Sequence, residues 1–458
     1  MIAPVTENAR SSVVFEHDCS VNGENNGEFR FGTIPERLRT SRLQTEPAGS
    51  LLVFSDDWGR HPSSCQHIIR CLLNDFPVTW VNTIGTRAPR LDIATLRRVR
   101  EKCVQWLKRS SDSQSTSEDH GDCSSCSGNS TVPDFGAFKE LRQPAVVNPK
   151  MWPWFTWKID RWLNQELLTR QLAPILRTMP QPVTAITTLP ITADLNGKLP
   201  VSRWVYYCVD DFSLWPGLDG DTLRRMDRDM IRGADDIFAV SETLRQMIAR
   251  EGRDSTLLTH GVDVDFWRAK CDGSSHANQS VISELSAHRV VFWGVVDRRM
   301  DTASIVSLSQ KLHSEIPESV IVLIGPQQDP DPEILSLPNV QCLPPQPLSA
   351  LPAIARDADV LMMPYADLPV TRAMQPLKLK EYMATGKPVV VNRLPSTTEW
   401  TDCLDGAGSP SDFSSLVVSR IRSGVPPHQI HSRARLRHET WSARAQQLRT
   451  AFSTVESE

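Results

Sequence analysis

Short apolar runs recur between helical patterns along most of this chain, and that alternation restricts the fold more than any other feature. Leu51–Ser55, Val78–Asn82, Val183–Thr187, Trp204–Cys208 and Asp236–Val240 make a first set; Arg289–Trp293, Val320–Gly325, Asp359–Met363 and Val389–Val391 make a second. Apolar runs of this length suit strands covered on both faces, and strands separated by helices assemble as parallel sheets. Two such sets within 458 residues predict an α/β protein of two doubly wound domains. The polar stretch Cys271-Asp-Gly-Ser-Ser-His-Ala-Asn-Gln-Ser280 between them reads as the linker. Paired domains of this kind bind ligands at the carboxyl ends of their strands, here in the cleft between the sheets.

The remaining composition narrows the class. Hydrophobic residues at 40% and charged residues at 23% are globular values, and a net charge of -4 gives no global attraction to nucleic acid. No apolar run approaches the roughly 20 residues of a membrane span, and no signal-like start is present, so a cytoplasmic protein is expected. The ten cysteines are scattered singly, which fits reduced core thiols better than a disulfide framework. Residues 1–47 lack periodicity and read as a disordered extension, and residues 110–134, rich in Ser, Asp and Gly, read as a flexible insertion. Within that insertion His120, Cys123 and Cys126 imitate metal-ligand spacing, but three soft ligands without packing residues do not make a zinc site.

The richest local segment is Met374-Gln-Pro-Leu-Lys-Leu-Lys-Glu-Tyr-Met-Ala-Thr-Gly-Lys-Pro-Val-Val-Val391. Pro376 stands where a first helical residue belongs, Gly386 where a left-handed cap would end the helix, and Pro388 stops any continuation before a buried strand. A helix that begins after a loop presents unpaired N–H groups and the positive end of its dipole, which suit phosphate. Glu381 lies five residues beyond Pro376, roughly 7.5 Å along the axis, about the reach from a diphosphate to its ribose.

Other polar groups cluster at predicted strand ends. In Phe292-Trp-Gly-Val-Val-Asp-Arg-Arg-Met-Asp301, Arg298 and Arg299 either neutralise a leaving diphosphate or belong to a solvated loop with salt bridges. Gly325 with Pro326 forms a turn at the end of the next strand. Ser55-Asp-Asp-Trp-Gly-Arg-His-Pro62 leads into a helix starting near Ser63; its Asp56, Asp57, Arg60 and His61 offer acid, base and hydrogen-bonding groups, and a capped polar turn has the same composition. Asp210 and Asp211 follow a buried strand, where one carboxylate can orient an acceptor hydroxyl and the other cap the turn. Ser241 is an N-cap candidate, and His260 sits in a glycine-containing turn whose explanation is chiefly structural. Trp152-Pro-Trp-Phe-Thr-Trp157 has core packing as its default role, beside contact with sugar or lipid. Arg433, Arg435, Arg437, Arg444 and Arg449 leave two readings open, contact with anionic headgroups or a solvated helix face.

Pro376-Leu-Lys-Leu-Lys-Glu-Tyr382, followed by Gly386-Lys-Pro and valines, resembles the donor-site signature of GT-B glycosyltransferases of family 4, in particular those of teichuronic acid biosynthesis. The resemblance implies the GT-B architecture, with two Rossmann-like domains facing across a cleft. It places an acceptor-side domain at 48–270, a linker at 271–285, a nucleotide-sugar domain at 286–430 and a terminal helix at 431–458 that crosses back to the first domain. It implies transfer of a sugar, with retention, from a UDP- or GDP-linked donor to a glycan or lipid-linked acceptor in cell-surface polysaccharide or glycoconjugate synthesis. Neither metal nor cofactor is implied, and peripheral membrane contact suits a lipid-linked acceptor.

Donor binding then falls to Glu381, Leu377, Lys378, Gly294 and Gly325, and catalysis to Arg299, Arg298, Asp57, His61 and Asp211. Relatives carry two glutamates eight positions apart, the second on the ribose and the first near the sugar; Glu381 matches the second, whereas the first position is Ala373. That departure motivates one alternative, a nucleotide-sugar-binding subunit without activity, and a GT-B-type epimerase is a second.

Overall fold

The computed structural model describes residues 49–60, 62–82, 143–271 and 280–452. The expectations for residues 1–47, the 110–134 insertion with His120, Cys123 and Cys126, and His61 lie outside the described residues.

The first half is a parallel sheet of seven strands, β1 (Ser50–Ser55), β2 (Val78–Asn82), β3 (Ala145–Val147), β4 (Val183–Thr187), β5 (Arg203–Cys208), β6 (Asp236–Ala239) and β7 (Thr256–Leu257), in the order β3-β2-β1-β4-β5-β6-β7. β1 lies in the interior of the sheet with every one of its residues buried; Val53 lies opposite Trp80 on one side and Ile186 on the other. Helices α1 (Ser64–Leu72), α2 (Lys158–Leu176), α3 (Gly220–Gly233) and α4 (Glu242–Arg250) flank this sheet. Ser63 caps α1 and Ser241 caps α4 through their hydroxyls, as their positions before apolar-periodic segments predict.

A helix α5 (Val264–Cys271) leads into the second sheet. Its strands are β8 (His288–Trp293), β10 (Ser319–Ile324), β12 (Val340–Leu343), β13 (Val360–Met363), β14 (Val389–Asn392) and β15 (Asp405–Ala407), all parallel in the order β12-β10-β8-β13-β14-β15. A short ladder of β9 (Val296–Asp297) with β11 (Gln327–Gln328) extends beyond β8 and β10. Helices α6 (Thr302–Glu315), α7 (Pro369–Ala373), α8 (Leu377–Ala384) and α9 (Pro410–Ser423) belong to this half.

The chain enters the second half earlier than the polar 271–285 tract suggests. Val262 and Trp267 already belong to the second core, and Trp267 stacks on Trp293 with centroids 5.7 Å apart. Burial of an indole outweighs the linker-like composition that follows. At the other end, α10 (Trp441–Arg449) lies on α1. Trp441 stacks on His67 at 4.6 Å, Phe452 meets Phe76 at 5.5 Å, and Ala445, Leu448 and Ala451 join the first core.

The terminal arginines have intramolecular partners. Arg433 is buried and donates to the carbonyls of Cys403 and Lys387, Arg435 pairs with Asp402, Arg444 with Glu439 and Arg449 with Asp75. Arg437 donates to His438. Arg433 and Arg435 fasten the end of the chain to the second half, and Arg449 fastens it to the first. In the tryptophan cluster Phe155 is core, whereas Trp157 is 71% exposed. Cys65, Cys208 and Cys403 are buried free thiols.

Candidate active site

The site grows from α8 and the loops that meet it. Pro376 is the N-cap, with φ -70° and ψ 122°, so the helix begins at Leu377, one residue later than the sequence suggests. Gly386 adopts φ 79°, the left-handed value its position requires. Leu379, Tyr382 and Met383 face the second core, and the Tyr382 hydroxyl accepts a 3.0 Å hydrogen bond from the backbone N–H of Trp293. That bond ties the helix to the carboxyl end of β8. Lys378 and Glu381, three residues apart and so on one side of the helix, remain half-buried.

Two glycines shape the floor beneath them. Gly325 has φ 148°, and a Cβ there would stand 1.9 Å from the carbonyl oxygen of Gly294. Gly294 has φ 141°, and its missing side chain leaves space for the Lys378 ammonium. Lys378 Nζ donates to the Tyr365 hydroxyl at 2.7 Å and lies 4.4 Å from the Phe292 ring centre. Enclosure by protein pushes the Glu381 carboxyl up to about 7, against the Lys378 charge and the Trp293 indole.

Arg299 approaches from the loop after β9. Its carbonyl accepts from Ala366 N–H at 2.8 Å and the Asp301 N–H donates to the Pro364 carbonyl at 2.8 Å, so this loop and the one after β13 brace each other. The Arg299 guanidinium is buried, clasped by Asp297, and 4.7 Å from the ring centre of Trp215 in the first half. Arg298 turns away: its side chain is 53% exposed and pairs with Asp329 at 3.3 Å. Of the two adjacent arginines, the fold brings only Arg299 to the cleft.

On the opposite wall, Asp210 and Asp211 separate. Asp211 caps the following turn, accepting from the N–H and hydroxyl of Ser213 at 3.0 and 2.6 Å. Burial pushes the Asp210 carboxyl up to about 7, opposed by the charge of the Arg299 guanidinium across the cleft. In the loop after β1, Asp56 accepts from Ser63 at 2.8 Å and from Gln66 at 2.6 Å, and Asp57 makes an exposed pair with Arg60 at 3.1 Å. This loop is a capped polar turn. His260 is buried, and desolvation with the nearby Lys380 charge holds its imidazole down to about 3, so it stays neutral.

Ala373 packs into the first core, and its carbonyl accepts a 2.6 Å hydrogen bond from Ser241. A carboxylate there would be buried in apolar surroundings. Asp297, Tyr365 and Trp215 are contributors that sequence reasoning missed. The available signal was position, since Asp297 and Tyr365 both lie at or just past strand ends in the second half.

Together these groups can bind an anion between Lys378, Arg299 and the start of α8, with the Glu381 carboxyl and the Tyr365 hydroxyl as hydrogen-bonding neighbours.

No protein-family model matches the chain. TuaH of Bacillus subtilis (strain 168), named as a teichuronic acid biosynthesis glycosyltransferase, is 27% identical over 178 residues, 37% of this chain and 43% of that protein. The chain therefore matches less than half the length of that curated relative. Among solved structures, Anabaena HepE in complex with UDP and glucose superposes with TM-score 0.56 at 12% identity, covering 89% of this chain and all of that one. A UDP-forming α,α-trehalose-phosphate synthase from Burkholderia xenovorans gives 0.57 at 13% identity, over 90% of this chain and 100% of that one. Sucrose-phosphate synthase from Thermosynechococcus elongatus gives 0.58 at 11% identity, over 88% and 98%. The fold is GT-B, two Rossmann-like domains, as the residues of the α8 segment imply.

Proposed function

We propose that this GT-B protein is a glycosyltransferase that moves a sugar from a UDP-linked donor to a hydroxyl of a glycan or lipid-linked acceptor, with retention of anomeric configuration. The observation that carries this reading is that Lys378 and Arg299 both approach the Tyr365 ring, with Glu381 beside Lys378 and Gly294 beneath it, at the carboxyl end of one sheet. UDP is favoured as the carrier because solved structures of the same fold hold it.

In this reading the start of α8 and the Lys378 ammonium receive the diphosphate, and Glu381 accepts from ribose hydroxyls. Departure of the diphosphate develops negative charge, and Arg299, preorganised by Asp297, meets that charge as it forms. A loose, oxocarbenium-like path lets the departing phosphate oxygen take the acceptor proton, so no protein nucleophile is needed. Charge neutralisation comes from protein groups, with neither metal nor cofactor in the scheme. Asp210, Asp57, Asp211 and His61 are the acceptor-side candidates; Asp210 is favoured because its carboxyl feels the Arg299 charge.

The acceptor belongs to cell-surface polysaccharide or glycoconjugate synthesis in this proposal. Among the described residues no helix is long and apolar enough to cross a membrane. Contact with a lipid-linked acceptor would be peripheral, and liposome flotation measures it.

A turnover screen over UDP-, GDP- and ADP-sugars, with the product anomer assigned by NMR, tests the function. Consumption of a UDP-sugar only when acceptor is present is the expected result. Binding of UDP without consumption would replace this reading with that of a binding subunit, and conversion of donor alone would replace it with an epimerase.

A further inference from the structure

Helix α8 has a second polar side, set away from Lys378 and Glu381. Lys380 is 3% exposed, and its ammonium has three acceptors: Thr259 Oγ1 at 3.1 Å, the His260 carbonyl at 2.6 Å and the Glu439 carboxylate. An ammonium has three N–H donors, so all are used. The partners come from separate parts of the chain. Thr259 and His260 end the first half, whereas Glu439 lies two residues before α10 and is gripped by Arg444. Glu439 also accepts at its carbonyl from Val262 N–H at 2.7 Å.

The same stretch of chain is tied to the first half at two further points, Gln375 Oε1 to the His260 N–H at 2.9 Å and Ala373 carbonyl to Ser241. Three positions of one short segment thus bond away from the donor cleft while Lys378 and Glu381 face it. Burying a lysine is costly, and an apolar side chain of similar volume would pack with less penalty. The ammonium therefore specifies an arrangement rather than adding bulk stability.

We propose that Lys380 is a positioning residue for transfer: it clamps α8 to the end of the first half and to the terminal segment, and so fixes Glu381 and Lys378 relative to the opposite wall of the cleft. The proposal rests on the donor-binding reading of Glu381. Because Leu379, Tyr382 and Met383 still hold α8 on the second core, loss of the clamp leaves UDP affinity largely intact and misaligns the two walls.

The test uses the full chain with Lys380→Met, Lys380→Arg and Thr259→Val, measuring UDP affinity by calorimetry, donor KM, kcat from pH 6 to 9.5, and melting temperature. Lys380→Met should lower kcat by about tenfold to a hundredfold, the scale of a small misplacement, with UDP affinity changed less than about threefold. Thr259→Val, which removes one acceptor and keeps the lysine, should lower kcat several-fold and covers the case in which Lys380→Met fails to fold. Desolvation lowers the Lys380 ammonium to about 8, with Glu439 and Glu399 opposing, Arg444 adding to the fall, and neutral His260 beside it. Wild-type kcat should therefore decline above about pH 8, and in Lys380→Arg, which stays charged, that decline should vanish.

Wild-type kcat in Lys380→Met, or in Thr259→Val if the methionine variant does not fold, overturns the proposal. An alkaline decline identical in wild type and Lys380→Arg does the same. Calorimetry of Glu381→Ala separates the two readings: unchanged UDP affinity there removes the donor reading and this proposal with it, whereas weakened affinity alongside normal turnover of Lys380→Met removes this proposal alone.

Discussion

Asp297 clasps the guanidinium of Arg299 through contacts of 3.0, 2.9 and 2.7 Å, and this pair stands against Trp215 of the other half. A fork held so rigidly loses little on meeting a phosphate, so its value lies in the transition state. Arg299→Ala should reduce kcat by about a hundredfold to a thousandfold with little change in donor KM. Asp297→Asn keeps part of the grip and should cost about tenfold. Arg298→Ala, on an exposed pair, should stay within about twofold of wild type. Steady-state kinetics on purified variants measures all three, and equal losses for Arg298 and Arg299 would contradict the geometry.

Glu381→Ala should raise the donor KM by about tenfold or more while kcat changes less, because a ribose contact is made in ground and transition states alike. Initial-rate curves over donor concentration read this directly. An unchanged KM would remove Glu381 from the donor site.

The same residue makes a prediction about stability. Its carboxyl rises from 4.5 to about 7 in the folded protein, so the native state holds the proton more tightly than the unfolded chain. Stability contributed by the protonated form is present below about pH 4.5 and is lost as pH rises toward 7. Glu381→Gln should therefore stabilise by about 1–3 kcal/mol at pH 8 and by little at pH 4.5, measured by urea unfolding. Asp210→Asn should follow the same sign, since its carboxyl is also raised to about 7.

Tyr382→Phe leaves the buried N–H of Trp293 without its 3.0 Å acceptor and should cost about 1–3 kcal/mol in chemical unfolding. Gly325→Ala should cost more, because φ 148° and a 1.9 Å approach to the Gly294 carbonyl must both be relieved by moving backbone. A melting temperature for Gly325→Ala at or above that of Tyr382→Phe would contradict this ranking.

The central strands were legible because their residues are buried on both faces, as in β1, β8, β10 and β13. Edge strands β3, β12 and β15 were not, since β3 is only three residues long and exposed positions such as Gln341 in β12 need no apolar run. Within the site, the dipeptides Arg298-Arg299 and Asp210-Asp211 were visible, but the choice within each pair was not. Adjacent residues point in different directions, and a turn of backbone decides which one reaches the cleft. Asp211 is drawn to Ser213 and Arg298 to Asp329, and the remaining member of each pair feels the other's charge across the two halves.

Local physics carried the sequence a long way. Apolar run length marked the core strands, the missing N–H of Pro376 bounded the start of α8 to within a residue, and Gly386 marked its end, because each depends on a few neighbouring residues. Only the tertiary structure decided what lies around that helix. Lys380 looks like any solvated helical lysine until Thr259, His260 and Glu439 converge on it, and Ala373 looks like a lost acid until it is seen packed beside Ser241. Those partners lie 59 to 132 residues away along the chain, and no local preference encodes a contact whose energy exists only after distant segments have met.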